Sequence, residues 1–129
     1  MSDATGLFEG LVFNEQGLMP SVIQDEDGRV LTLCYMTREA IERSLATGRI
    51  HVFRRSKGRL MLKGETSGHI QEVREMRVDC EGKSLLFRVK QHVGACHKGY
   101  RSCYFARYDP KSDAFEVVDE RVFDPGQVY

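Results

Sequence analysis

The sequence has no tryptophan, only 3 prolines and no excess of either charge, because 19 basic residues balance 19 acidic ones. Proteins that bind nucleic acid through its phosphates usually carry a basic excess, so the charge balance argues against that class. The sequence also has no apolar run long enough to span a bilayer. Because the first residues lack the basic and apolar regions of a signal peptide, we expect a cytoplasmic, reducing location.

The chain has 129 residues, of which 41% are hydrophobic, and this suits one packed domain over residues 1–129. A turn signal at Asp25-Glu26-Asp27-Gly28 lies between two apolar runs and predicts a hairpin. Thr37 is typical of a helix N-cap, and Gly48 of the residue that ends a helix. In that helix the pattern places four residues on one face, namely Ala40, Ile41, Ser44 and Leu45.

Residues 1–20 indicate an arm or a short helix, and the residues after 118 indicate a polar tail. Apolar runs and alternating apolar residues predict further strands over residues 50–53, 60–62, 69–78, 85–91, 104–108 and 114–118. Together these patterns predict an α+β fold, a mostly antiparallel β-sheet domain with one or two short helices.

Three of the 4 cysteines lie in one stretch of the sequence, as Cys80, Cys96 and Cys103. Thiolates are soft ligands that suit zinc, and three protein ligands leave a fourth position for water. The intervals of 15 and 6 residues do not match the spacing of zinc fingers, so buried or reactive free thiols are an equal alternative. The fourth cysteine, Cys34, lies in an apolar run, and we interpret it as a small core residue.

Two carboxylates flank the first of these cysteines. In an extended strand, Asp79 and Glu81 would point to one face of the sheet and Cys80 to the other. This arrangement predicts a hard-cation or acid–base site on the face opposite the sulfur.

Five basic residues crowd the segment that joins the strands predicted over residues 50–53 and 60–62, namely Arg54, Arg55, Lys57, Arg59 and Lys63. The cluster suits a phosphate group, and an ordinary solvated hairpin end explains it equally well. Gly64-Glu65-Thr66-Ser67-Gly68 follows the cluster. Such a loop can bring backbone N–H groups close to an anion, although its composition favours an ordinary turn.

Three blocks of sequence together resemble the phosphoribosyl-AMP cyclohydrolase family of histidine biosynthesis, and the similarity covers about residues 18–107. The blocks are Arg55-Ser56-Lys57 continuing to Lys63-Gly64-Glu65-Thr66-Ser67-Gly68-His69, then Val78-Asp79-Cys80, and finally Gly94-Ala95-Cys96-His97 continuing to Arg101-Ser102-Cys103-Tyr104. Each block alone is weak evidence, whereas the three in this order are specific.

The resemblance implies hydrolytic opening of the adenine ring of phosphoribosyl-AMP at its N1–C6 bond. It also implies an intertwined homodimer, with the active site at the subunit interface and zinc cysteines from both chains. The zinc ligands would be Cys80, Cys96 and Cys103, and magnesium would bind at Asp79 and Glu81.

The sequence departs from the family pattern at the acidic cluster and in the basic segment, whereas the three zinc cysteines are kept. Lys83 stands where the family has a third carboxylate, Met61 replaces a tryptophan, and Arg54 replaces a common serine. Two alternatives therefore stay open: a non-catalytic zinc-containing paralogue that binds nucleotides, and a zinc hydrolase or deaminase of another purine nucleotide.

The proposed reaction needs residues that move protons and residues that hold two phosphate groups. Imidazole titrates near neutral pH, so His97 and His69 are candidates for proton transfer, and the carboxylate of Glu65 is a third. For each histidine, an orienting or core role is the alternative. Charged and hydroxyl side chains suit phosphate or ribose, and the candidates for substrate binding are Arg55, Lys57, Lys63, Thr66, Ser67 and Arg101.

Overall fold

The computed structural model describes residues 4–128, which form two α-helices, eight strands and one 3₁₀ turn. In chain order these are α1 (Ala4–Phe8), β1 (Met19–Asp25), β2 (Val30–Met36), α2 (Arg38–Thr47), β3 (His51–Arg54), β4 (Arg59–Leu62), β5 (Gln71–Val78), β6 (Leu85–Gln91), β7 (Ala106–Asp109), β8 (Ala114–Val117) and the 3₁₀ turn Pro125–Gln127. The α+β prediction is confirmed. The arm predicted over residues 1–20 begins outside the described residues, and its described part contains α1 and the first residues of β1.

The main sheet has four strands in the order β2-β1-β6-β5. The β1–β2 and β5–β6 pairs are antiparallel, as the hairpin and turn signals predict. The central pair, β1 with β6, is parallel and sets Ile23 opposite Phe87. The β3–β4 and β7–β8 hairpins form two separate two-stranded sheets. Within residues 4–128, no helix is long and apolar enough to cross a membrane.

One face of the main sheet forms the hydrophobic core. Leu85, Phe87 and Val89 alternate with more exposed residues along β6 and are buried, as the sequence pattern predicts. Fully burying a side chain of this size contributes about 1.5–3 kcal/mol. The core continues into α2 through Ala40 and Ile41, so the helix covers the buried ends of the neighbouring strands.

Helix α2 begins and ends at the predicted residues. The Thr37 hydroxyl accepts a hydrogen bond from the Ala40 N–H at 3.1 Å, and Gly48 has the left-handed φ of 77° that favours glycine. Ser44 is buried and accepts a hydrogen bond from the His51 N–H at 2.8 Å, which fixes the helix to β3. Leu45, which the pattern places on the same face, is 40% exposed, so the buried face is narrower than the pattern predicts.

The turn between β5 and β6 packs tightly against the segment that follows α1. Val12 donates its N–H to the Gly82 carbonyl oxygen at 2.7 Å. Gly82 has a φ of 73°, and a Cβ at this position would overlap the carbonyl oxygen of Gly10. The close approach of the two backbones therefore requires glycine at residue 82.

We expect Gly82→Ala to lower the free energy of unfolding by about 2–4 kcal/mol, because the left-handed backbone and the overlap with Gly10 both oppose a Cβ. Gly28→Ala is the matched control, since Gly28 also has a positive φ, of 92°, but has open space around it. The control should lose about 1–2 kcal/mol from backbone strain alone. Urea unfolding of both variants measures the difference, and equal losses would contradict the packing argument.

Candidate functional site

A cavity of about 370 Å³ lies between the β3–β4 hairpin, the loop that follows it and the loop after β6. It brings together six of the predicted site residues, namely Lys57, Lys63, Glu65, Thr66, Ser67 and His97. Arg54 and Met61, two of the departures from the family pattern, line the same cavity. Three basic residues against one carboxylate make the lining positive, which suits an anionic ligand.

The loop over residues 64–68 has a shape that depends on its first glycine. Gly64 has a φ of 88°, and a Cβ there would lie 2.7 Å from the His69 carbonyl carbon and oxygen. The Gly68 N–H donates to the Gly64 carbonyl oxygen at 2.7 Å, so the loop closes on itself. The two hydroxyl residues between these glycines therefore lie at the cavity wall.

Glu65 is held at the cavity by neighbours on the β3–β4 hairpin. Its carboxylate accepts hydrogen bonds from Arg59 and from the Leu62 N–H, each at 3.3 Å. Arg59 thus pairs with the predicted acid–base residue, while Lys57 and Lys63 line the cavity.

Two of the predicted phosphate ligands lie outside the cavity lining. The Arg55 guanidinium lies over the Tyr35 ring, 4.3 Å from its centroid. Arg101 forms an ion pair with the buried carboxylate of Asp25, with its Nε 2.9 Å from Oδ2, and donates to the Val93 carbonyl oxygen at 3.0 Å. The phosphate-binding role of both arginines stays a prediction.

The hydrogen bond from Arg101 to the Val93 carbonyl oxygen reaches a strained position. Val93 has a φ of 63°, in the left-handed region that costs a β-branched residue about 1–2 kcal/mol. Val93 directly precedes the loop that carries Cys96 and His97. Arg101 therefore joins β1 to the start of this loop.

Two thiols meet beside the cavity, in the loop after β6. Cys96 is buried, and its N–H donates to the Tyr100 carbonyl oxygen at 3.1 Å. Burial raises the pKa of the Cys103 thiol most, and neighbouring Cys96 raises it further, whereas the Thr32 hydroxyl and the charge of Lys63 lower it. Two neighbouring thiols can supply two of the four ligands of a tetrahedral zinc site.

The third predicted zinc ligand lies elsewhere. Cys80 is exposed at the turn between β5 and β6, where it lines a separate cavity of about 460 Å³ with Asp79 and Glu81. Among residues 4–128, no group of three or more histidine, cysteine, aspartate or glutamate side chains lies close enough to hold a metal ion. One chain therefore brings together two of the three predicted zinc ligands.

The condition for Asp79, Cys80 and Glu81 to alternate, an extended strand, is not met, because β5 ends at Val78, where the predicted strand also ends, and the three residues form a turn. The Asp79 carboxylate accepts hydrogen bonds from the Lys83 N–H at 2.9 Å and the Glu81 N–H at 3.2 Å, and it shapes this turn. The bond from Lys83 is the largest cause that lowers the pKa of Asp79. Whether these carboxylates bind magnesium stays a prediction.

Cys34 has the half-buried position expected of a small apolar residue, and its Sγ lies 3.6 Å from the Ser21 carbonyl oxygen. Burial raises the pKa of its thiol to about 12, although the charge of Lys63 opposes this shift. Cys34 packs against the hydrophobic core from β2, as the sequence interpretation expects.

His69 lies next to the cavity loop rather than in its lining. Its N–H donates to Ser67 Oγ at 3.2 Å, and its ring packs against the ring of Phe123 with the centroids 4.6 Å apart. Sequence reasoning missed Phe123 because the tail was predicted to be polar. The apolar pair Val122-Phe123 was the available signal.

We expect Arg101→Ala to lower the free energy of unfolding by about 3 kcal/mol, because it leaves the buried Asp25 carboxylate without its partner. Arg107→Ala is the matched control, since Arg107 is 72% exposed and lies 3.7 Å from Glu116. Removing that exposed pair should change stability by less than about 0.5 kcal/mol. Urea unfolding compares the two variants, and a small loss at residue 101 would contradict the structural role.

A family model described as phosphoribosyl-AMP cyclohydrolase matches residues 32–105 of the chain. Three curated relatives bear the same name. The protein from Methanosarcina barkeri is 49% identical over 90% of this chain and 87% of its own length. The protein from Salinibacter ruber is 45% identical over 100% of this chain and 99% of its own length. The protein from Haloarcula marismortui is 49% identical over 92% of this chain and 96% of its own length. The chain therefore belongs to the phosphoribosyl-AMP cyclohydrolase family of hydrolases.

Proposed function

We propose that the chain opens the adenine ring of phosphoribosyl-AMP by hydrolysis of the N1–C6 bond, in histidine biosynthesis and with zinc. The observation that carries the proposal is the position of Cys96 and Cys103 beside a basic cavity that His97 lines. Relatives with this name cover nearly the whole chain at 45–49% identity, which supports the substrate.

The basic side chains of the cavity bind the phosphates of the substrate. Lys57 and Lys63 supply positive charge, and the hydroxyls of Thr66 and Ser67 donate hydrogen bonds to phosphate or ribose oxygens. Arg54 adds a further positive charge in the same lining and compensates for arginines that lie outside it. A cavity of about 370 Å³ is within the size range of small-molecule sites.

The zinc ligands in this proposal are Cys96 and Cys103 of one chain and Cys80 of the partner subunit. The donor set fits, because two thiols already lie together and a third, exposed thiol is available for a second copy. Bound zinc supplies a water molecule that ionises near neutral pH. Homodimer formation is therefore part of the proposal, since one chain holds an incomplete ligand set.

Breaking the C6–N1 bond requires a proton at N1 and removal of a proton from the attacking water. His97 lines the cavity and directly follows Cys96, so it is placed to exchange a proton with the substrate. Glu65 lies in the same lining and, held by Arg59, is placed to orient the water or accept its proton. His69 adds a second imidazole at the end of the same loop.

Magnesium would bind through Asp79 and Glu81. These residues flank Cys80, so a subunit that supplies Cys80 brings both carboxylates to the same site. Lys83 contributes its backbone N–H to Asp79 and takes the position of the third carboxylate. We therefore expect magnesium to bind more weakly here than it would at an acidic triplet.

We expect the reduced, zinc-loaded protein to open the ring of phosphoribosyl-AMP. Ultraviolet absorbance measures the reaction, in assays with and without magnesium. Cys96→Ala should lose both turnover and bound zinc, because it removes a thiolate ligand. Cys34→Ala is the matched control and should retain both, since Cys34 packs against the core and is not among the proposed zinc ligands. A zinc-loaded dimer without turnover would contradict the proposal, and turnover on another purine nucleotide alone would favour a related deaminase.

A mixing experiment tests the shared site. Cys80→Ala and Cys96→Ala should each be inactive alone, whereas their heterodimer contains one complete site built from the intact residues of both chains. Because half of randomly mixed dimers are heterodimers with one good site of two, activity should recover to about a quarter of the wild-type value. Failure to recover activity after proven subunit exchange would show that each site draws its cysteines from one chain.

A further inference from the structure

The last described part of the chain, residues 119–128, forms a strap across the loop after β6. Asp119 forms an ion pair with Arg29 at 2.6 Å, which anchors the strap to the β1–β2 turn. Arg121 donates from its Nε to the Lys98 carbonyl oxygen at 2.9 Å. The strap lies beyond residue 105, where the match to the family model ends.

The loop beneath the strap has no room for side chains at two positions. A Cβ at Gly99 would lie 2.8 Å from the Phe123 carbonyl oxygen, and a Cβ at Gly94 would lie 3.2 Å from Phe123 Cε1. The Val122 N–H also donates to the Gly99 carbonyl oxygen at 2.8 Å. The strap therefore packs directly on the loop that carries Cys96 and His97.

The ring of Phe123 contacts a second functional segment. Its plane lies at 78° to the imidazole of His69, an edge-to-face arrangement that aromatic rings favour. The Phe123 side chain thus lies between Gly94, in the loop after β6, and His69, which directly follows the 64–68 loop.

The main chain of His69 is fixed on both sides. Its N–H donates to Ser67 Oγ at 3.2 Å, and its carbonyl oxygen accepts from Gln91 Nε2 at 3.3 Å. Its Nδ1 is buried and has no hydrogen-bond partner among the described residues. A histidine that takes part in chemistry is usually oriented by a hydrogen bond at its second nitrogen. Here the imidazole packs edge-to-face against the Phe123 ring.

We propose that Phe123 is a positioning residue that holds the His69 imidazole in the orientation used for proton transfer. The inference rests on the proposed function, and it assigns a role to a segment outside the matched family region. Because Phe123 lies outside the lining of the basic cavity, losing its ring should leave phosphate binding intact. Its effect should therefore fall on kcat and leave KM unchanged.

The test compares Phe123→Leu, which keeps apolar bulk but removes the ring, with Phe123→Tyr, which keeps the ring. We expect kcat to fall about tenfold in the leucine variant with KM unchanged, because a misplaced catalytic group slows the reaction. The tyrosine variant should recover most of the loss. Phe115→Leu is the matched control, since Phe115 is 74% exposed on β8 and pairs with Tyr108 at 5.5 Å.

A second measurement does not depend on turnover. The imidazole proton resonances of His69, assigned by NMR, should shift in Phe123→Leu as the ring current disappears and should stay in place in Phe115→Leu. Unchanged His69 resonances, an unchanged kcat, or a raised KM at constant kcat would each overturn the proposal. A wild-type protein without turnover would instead overturn the proposed function, and the resonances would still report whether the contact exists.

Discussion

The parallel pairing of β1 with β6 sets Ile23 opposite Phe87 at the centre of the main sheet, with both side chains fully buried. Parallel neighbours cannot be joined by a tight turn, so the intervening chain must leave the sheet and return. That crossover contains β2, α2, the β3–β4 hairpin and β5. The cavity forms where the crossover meets the loop that leaves β6, so its walls depend on a strand pair that contributes no side chain to it.

The charges near the cavity are divided among several tasks. Arg59 pairs with Glu65, Arg55 packs on Tyr35, and Arg101 compensates the buried Asp25. The basic residues that cluster in the sequence thus have different roles, since some bring positive charge to the cavity and others hold neighbouring side chains in place. A buried carboxylate requires a close partner, and Arg101 supplies it to Asp25.

Local signals in the sequence predicted most elements but not how they assemble. The Thr37 cap, the Gly48 stop and the Asp25–Gly28 turn each act over a few residues, so α2 and the β1–β2 hairpin were predictable. The parallel pairing, the Arg101–Asp25 ion pair and the packing of Phe123 on His69 join distant residues, and no local pattern encodes them. The end of β5 at Val78 agrees with the predicted strand, whereas the side-chain hydrogen bonds that shape the turn at Asp79 follow from no pattern in the sequence.

The strap over residues 119–128 also bears on the order in which the protein is made. Synthesis runs from the N-terminus, so β1 cannot pair with β6 until β6 has been made. The loop after β6 likewise leaves the ribosome before the residues that cover it. A nascent chain that has reached only β8 carries Cys96 and His97 on an uncovered loop. The strap therefore covers the loop after β6 only once the segment beyond Asp119 has emerged from the ribosome.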